Sequence, residues 1–144
     1  MWKELPMPSR LSDAQANNSL DVRFSKAVNN APDSLYFAIV TTAPTTNTGT
    51  SLVEASGTAY TRVLMLNNAT NFPAAVARLK TNGVAITWPT AGAAWGTAVG
   101  IAWFDDPVAG AFLGYAALNS GVPIGLGATP QIGVGNFQIG STGS

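Results

Sequence analysis

The sequence has no cysteine and no histidine among its 144 residues, and few charges of either sign. Without cysteine there is no disulfide framework and no thiolate to hold zinc or to act as a nucleophile. Without histidine the chain lacks the commonest metal ligand and the base of a Ser-His-Asp triad. Charged residues are 10% of the composition, against about 25% in ordinary soluble domains. Seven basic and seven acidic side chains cancel to a formal net charge of zero, so no positive excess exists to track a phosphate backbone or an anionic bilayer. Nucleic acid and membrane are therefore not expected partners. Also missing are an apolar N-terminal stretch of signal-peptide length and any run near the roughly 18 apolar residues of a membrane span. Neither export by such a signal nor insertion is expected.

Seven carboxylates remain for acid and base chemistry, and only Asp105 and Asp106 are adjacent, followed by Pro107 and Gly110. Neighbours on a strand point to opposite faces, and Asp and Pro are typical turn residues. The expectation is a turn, not an acid pair or a calcium loop. A carbohydrate-active enzyme would need a paired-carboxylate cleft that this sequence does not offer. No catalytic, cofactor-binding or metal-binding residue is expected, no cofactor, and no enzymatic activity. The stretches at residues 92–96 and 121–135 are glycine-rich but lack the Gly-Lys-Ser/Thr ending of a phosphate loop.

What the sequence does have is apolar material: 47% hydrophobic residues, including four tryptophans. At this length the chain suits one domain with a core large enough to fold alone. The charges are unevenly placed. Lys3, Glu4, Arg10, Asp13, Asp21, Arg23 and Lys26 fall early, whereas residues 107–144 carry none. The C-terminal part is expected to be core, tight turns or a contact surface.

Residues 1–18 read as an extended N-terminal arm, and residues 19–144 as a single β-rich domain. Pro6 and Pro8 disfavour helix at and before themselves, while Trp2, Leu5 and Met7 alternate with polar residues and have nothing local to bury them. These three are the expected interface residues. Over residues 11–28, Leu20, Phe24 and Val28 recur at helical spacing, with Ser12 or Ser19 as N-cap, and Pro32 lies beyond the helix end. Strands are expected at residues 35–40, 60–66, 84–88, 98–104, 111–117, 122–126 and 135–139. Between them, residues 41–57 should be a long surface loop, residues 72–79 a short helical turn, and Asn82-Gly83 a tight turn. The fold class is mainly β, an antiparallel β-sandwich or barrel-like module with an N-terminal arm and one short helix. Its core should draw on Leu35, Phe37, Ile39, Val63, Leu64, Ile86, Val99, Ile101, Trp103, Phe112 and Tyr115. Trp88, Trp95 and Trp103 should be buried rings, not a sugar-stacking face.

Several motifs, in order, carry a family resemblance. A helix leads into Leu35-Tyr36-Phe37-Ala38-Ile39, followed by Glu54-Ala55-Ser56-Gly57 with Tyr60-Thr61-Arg62, and by Ile86-Thr87-Trp88-Pro89. Then come Trp95-Gly96-Thr97-Ala98-Val99-Gly100-Ile101 with Phe104-Asp105, and Tyr115-Ala116-Ala117-Leu118 before a glycine-rich last strand. This order resembles tailed-bacteriophage virion structural proteins of the tail-fibre-like, minor structural or head-decoration kind. The pattern departs at Ile39-Val40-Thr41, where Leu-His-Thr is usual, and at residues 67–82, usually richer in Gly and Ser. The resemblance implies a virion component acting as repeated copies on the particle surface, made in the host cytoplasm. Two functions fit it: a capsid decoration (cement) protein that stabilises the head lattice by packing, and a tail-fibre or minor tail protein that takes part in host-surface adsorption. Sparse charge and the apolar arm favour the first. The expected partners are the major capsid protein or other virion proteins, and copies of the chain itself, with a homotrimer as the expected closed ring.

Overall fold

The computed structural model of the chain describes residues 9–140, so Trp2, Leu5 and Met7 lie outside the described residues. In chain order the elements are β1 (Ser9–Leu11), α1 (Asp13–Phe24), β2 (Ser34–Thr42), β3 (Val53–Glu54) and β4 (Val63–Leu66). They continue with β5 (Leu79–Thr81), β6 (Ile86–Thr87), β7 (Gly96–Phe104), β8 (Phe112–Ile124), β9 (Gln131–Ile132) and β10 (Gln138–Gly140). The chain is mainly β with one helix on its N-terminal side, and every strand pair is antiparallel.

Three long strands rich in aromatic and branched residues form the centre, because such side chains suit a pleated surface buried on both sides. The main sheet runs β1-β8-β7-β2-β3, with β4 also on β2, and it does not close into a barrel. Its register sets Phe37 opposite Trp103 and Ile39 opposite Ile101. The period of two then sends Phe37, Ile39, Ile101 and Trp103 to one face and Ala38, Val40, Ala102 and Phe104 to the other.

The first face carries the larger core. The two-stranded sheets β6-β9 and β5-β10 bring Ile86, Ile132 and partly buried Ile139 against it, and Phe137 adds a fully buried ring. Phe37 sits at the centre: Phe137 meets it edge-on at 5.1 Å, and Trp103 and Phe72 stack at 6.0 and 6.2 Å between centroids. Burial of each such side chain is worth about 1.5–3 kcal/mol. Trp88, Trp95 and Trp103 are all buried, as expected from the sequence. On the second face Tyr115, Phe104 and the small residues of β2 and β7 pack with Leu52, Val99, Phe112 and Ala117.

Asn82 joins the small sheets to the core. It is 1% exposed; its Nδ2 donates to the carbonyls of Val84 and Gly133, both at 2.9 Å, and its Oδ1 accepts the Phe137 N–H at 3.0 Å. The tight turn expected at Asn82-Gly83 does not form: neither residue has the positive φ of a primed hairpin turn, and their N–H groups go to the distant carbonyls of Phe137 and Asn71. Asn82 is instead a buried polar staple between segments far apart in sequence.

Several expectations are corrected. Residues 72–79 hold no helical turn. Val76 and Leu79 exchange backbone hydrogen bonds at 2.9 Å around Ala77 and Arg78, whose φ values of 50° and 70° make a two-residue hairpin of the primed type. The runs at 111–117 and 122–126 are one strand, β8, which shifts register on β7 between Ala98 and Gly100 and ends at Ile124, leaving Leu126 exposed. Residues 41–57 contain β3, paired to Val40 and Thr42. Leu64 is 50% exposed, because it alternates with the buried Met65 on an edge strand. Phe37, Ile39, Ile86, Ile101, Trp103 and Tyr115 are buried as expected, and Leu35, Val63, Val99 and Phe112 pack at the core margin.

Candidate functional site

The polar centre of the molecule arises where the edge partner of β2 changes. Strand β4 pairs with residues 34–37 and β3 with Val40 and Thr42, which leaves the Ile39 N–H between two partners. The Tyr60 hydroxyl fills that gap: it accepts from Ile39 N at 3.1 Å and donates to Glu54 Oε1 at 2.7 Å. Burial, and next the hydrogen bond to Glu54, push the Tyr60 pKa far above its ordinary value of 10.0. Its ring meets Trp95 edge-on at 5.2 Å, and Trp95 Nε1 donates to the Thr58 carbonyl at 3.0 Å. The motif residues 54–62 and Trp95 are therefore one packed unit.

Glu54 is held from its other side by Arg62, with Nη2 to Oε2 at 2.8 Å and Nε to Oε1 at 3.0 Å. The guanidinium carbon lies 3.9 Å from the centroid of the Phe104 ring, a cation–π contact strengthened by removal from water. Arg62 Nη1 then donates to the carbonyls of Asp106 and Ala109 at 2.8 and 2.7 Å. So one arginine ties β3, β7 and the turn after β7 together.

That turn is where the adjacent carboxylates sit. Asp105 Oδ1 accepts the Ala111 N–H at 2.7 Å and Asp106 Oδ1 the Val108 N–H at 2.9 Å. Both act as turn-formers, as the sequence suggests. Among the described residues no three acidic side chains gather to hold a metal ion. Glu54, Arg62, Leu52, Phe104, Ala109 and Phe112 line an open hollow of about 300 Å3. The polar atoms on its floor are already engaged with each other and with backbone, which suits them to fixing the turn and not to acid or base catalysis.

Contact surfaces are the other candidate site. Helix α1 starts at Ser12, whose Oγ accepts the Gln15 N–H at 3.3 Å, and none of its residues is buried. Leu20, Phe24 and Val28, the stripe visible in the sequence, are 54%, 84% and 77% exposed. The structure therefore leaves that stripe facing outward. Leu66 and Val108 are exposed as well, at 52% and 76%. Among residues 34–140 the only charged side chains are Glu54, Arg62, Arg78, Lys80, Asp105 and Asp106, and the first two neutralise each other. In the sequence Glu54, Tyr60, Arg62 and Phe104 stand only as motif residues; their joint role depends on the strand change along β2, which no local pattern reports.

Glu54, Arg62, Asp105 and Asp106 are thus engaged in holding the turn after β7. The chain belongs to the family described as podophage GP4 fiber I protein gp80, whose model matches residues 10–140. It is thus a member of a tailed-phage fibre family. No curated protein matches the chain.

Proposed function

We propose that this chain is a fibre component of a podophage particle that works by packing and surface contact, as repeated copies, and takes part in adsorption to the host surface. The family match over residues 10–140 carries the reading. The Glu54–Arg62 network supports it from the structural side, since it holds an exposed turn rigidly without offering free acid or base groups. Low surface charge fits a module covered by neighbours, because a sparsely charged surface stays in solution less readily on its own.

The capsid-decoration reading draws on the same low charge and on Trp2, Leu5 and Met7 of the N-terminal arm, whose apolar area calls for a neighbour. In both readings the partners are other virion proteins and further copies of the chain, with the arm as a docking segment. Adsorption separates them. Antibodies raised against residues 9–140 should block attachment of intact particles to host cells while leaving heads stable. Unchanged adsorption, together with heads that lose stability when the gene is deleted, would favour decoration over fibre.

A further inference from the structure

Strand β1 is held to the domain differently from every other strand of the main sheet. It lies on the outer edge of β8, with Ser9, Arg10 and Leu11 opposite Ala116, Tyr115 and Gly114. The ladder is extended by Ser12 N–H to the Leu113 carbonyl at 2.8 Å. Leu11 packs at the margin of the large core, Ser12 is 3% exposed, and Arg10 Nη1 reaches Asn47 Oδ1 at 3.0 Å. Most of the attachment is made by these few residues, with a smaller contact of β1 on β10.

What joins β1 to the next strand of the sheet is attached lightly: helix α1 touches β8 and leaves Gln15, Ala16, Asn18 and Val22 half-buried. Helix α1 buries no residue, and residues 23–31 are exposed throughout. Their hydrogen bonds are local: the N–H groups of Ser25 and Ala27 go to the Asp21 carbonyl, and that of Ala31 to Asn29 Oδ1. The chain is fixed again only near Asp33 and Pro32, whose carbonyls accept from Asn67. The β8 edge is thus filled by a short strand on a long exposed tether. Swinging the helix and tether away from their own domain costs little buried area.

We propose that β1 is exchanged between copies: in the assembled form Ser9–Leu11 of one copy pairs with residues 114–116 of another, and the exposed helix and tether bridge the two. A second copy supplies the same Leu11 side chain, the same Ser12 N–H and the same register, so exchange preserves every contact of the closed form. Exchange of an identical element is a low-cost route to oligomers, and an added edge strand brings main-chain hydrogen bonds as its affinity. Each molecule gives a strand and receives one, so the copies close into a ring or extend as a chain. The proposal rests on the reading that the protein acts as repeated copies, yet its test uses the purified chain alone and does not depend on where the protein sits in a particle.

Because the chain has no cysteine, a disulfide placed at paired positions reports the connection directly. Two full-length variants, Ser9→Cys and Ala116→Cys, are mixed in equal amounts, refolded together and oxidised with glutathione disulfide. Neither chain can form this link within itself, so a heterodimer joining position 9 to position 116, identified by peptide mass, is the expected product. Its absence beside intact folded chains overturns exchange. If Ala116→Cys does not fold, the natural chain serves instead. Trypsin should cut first in the exposed tether after Arg23 or Lys26, and sizing is done before and after. Exchange requires that this cut reduce the assembly to single-domain size. A chain that is monomeric before the cut, or an assembly whose size survives it, contradicts the proposal.

Discussion

Arg62 and Glu54 form a bidentate ion pair, closed at 2.8 Å, with the arginine side chain 8% and the glutamate 23% exposed. The pair serves the turn at residues 105–110 as much as the sheet, because the remaining guanidinium donors hold two of its carbonyls. Arg62→Met should therefore cost about 2–4 kcal/mol, since removal of one partner leaves a largely buried charge uncompensated. Hydrogen exchange should quicken at residues 105–111 more than in β7. Chemical denaturation with site-resolved exchange checks both; a loss below about 0.5 kcal/mol with an unaltered turn would show the pair to be incidental.

Tyr60→Phe removes the group that completes the β2 edge. The orphaned Ile39 N–H and the lost bond to Glu54 should cost about 1–3 kcal/mol, measured at neutral pH.

Alkaline pH provides an independent check on the same residue. The Tyr60 pKa is raised in the folded state by burial and by Glu54, so its stabilising effect is full below the ordinary value of 10.0. Above that pH the unfolded chain ionises at this position while the folded one does not, and stability falls as pH climbs toward the raised folded value. Tyr115 is raised as well, again by burial and against the charge of Arg10, and contributes to the same decline. Stability measured from pH 8 to 12 should fall less steeply in Tyr60→Phe than in the natural chain. Identical slopes would contradict the buried, neutral hydroxyl.

Asn82→Ala should destabilise by about 2–4 kcal/mol, because two carbonyls and the Phe137 N–H lose their partner in a site closed to water. Asn82→Asp should also destabilise at neutral pH, since it turns an acceptor toward the carbonyls of Val84 and Gly133. Thermal melts of the two variants test this, and a melt like that of the natural chain in either one argues against the staple.

Phe24→Ser, at the most exposed large apolar position of α1, should leave the stability of the isolated chain within about 0.5 kcal/mol, as surface changes do. A larger loss would mean that the helix packs on its own domain.

The long strands were legible because their signal is local. Runs such as residues 35–40 and 98–104 are dense in aromatic and branched side chains, and the rings of Trp88, Trp95 and Trp103 had no polar setting to suggest a surface role. Elements set by distant partners were not legible. Residues 9–11 form a strand only because β8 lies beside them, more than 100 positions away in sequence. The hairpin at Ala77-Arg78 lacks the Asn-Gly signature of its turn type, and a run rich in alanine favours helix locally; pairing of β5 with β10 overrides that preference. Asp105 and Asp106 were readable as a turn, but the arginine that grips the turn comes from 44 positions earlier.

The most direct test of the fibre reading is the position of this chain in an imaged particle. Cryo-electron microscopy of the virion, with residues 9–140 fitted as a rigid body, should place copies of the fold in fibres at the tail. Density for the fold on the head lattice, with none in the fibres, would contradict it.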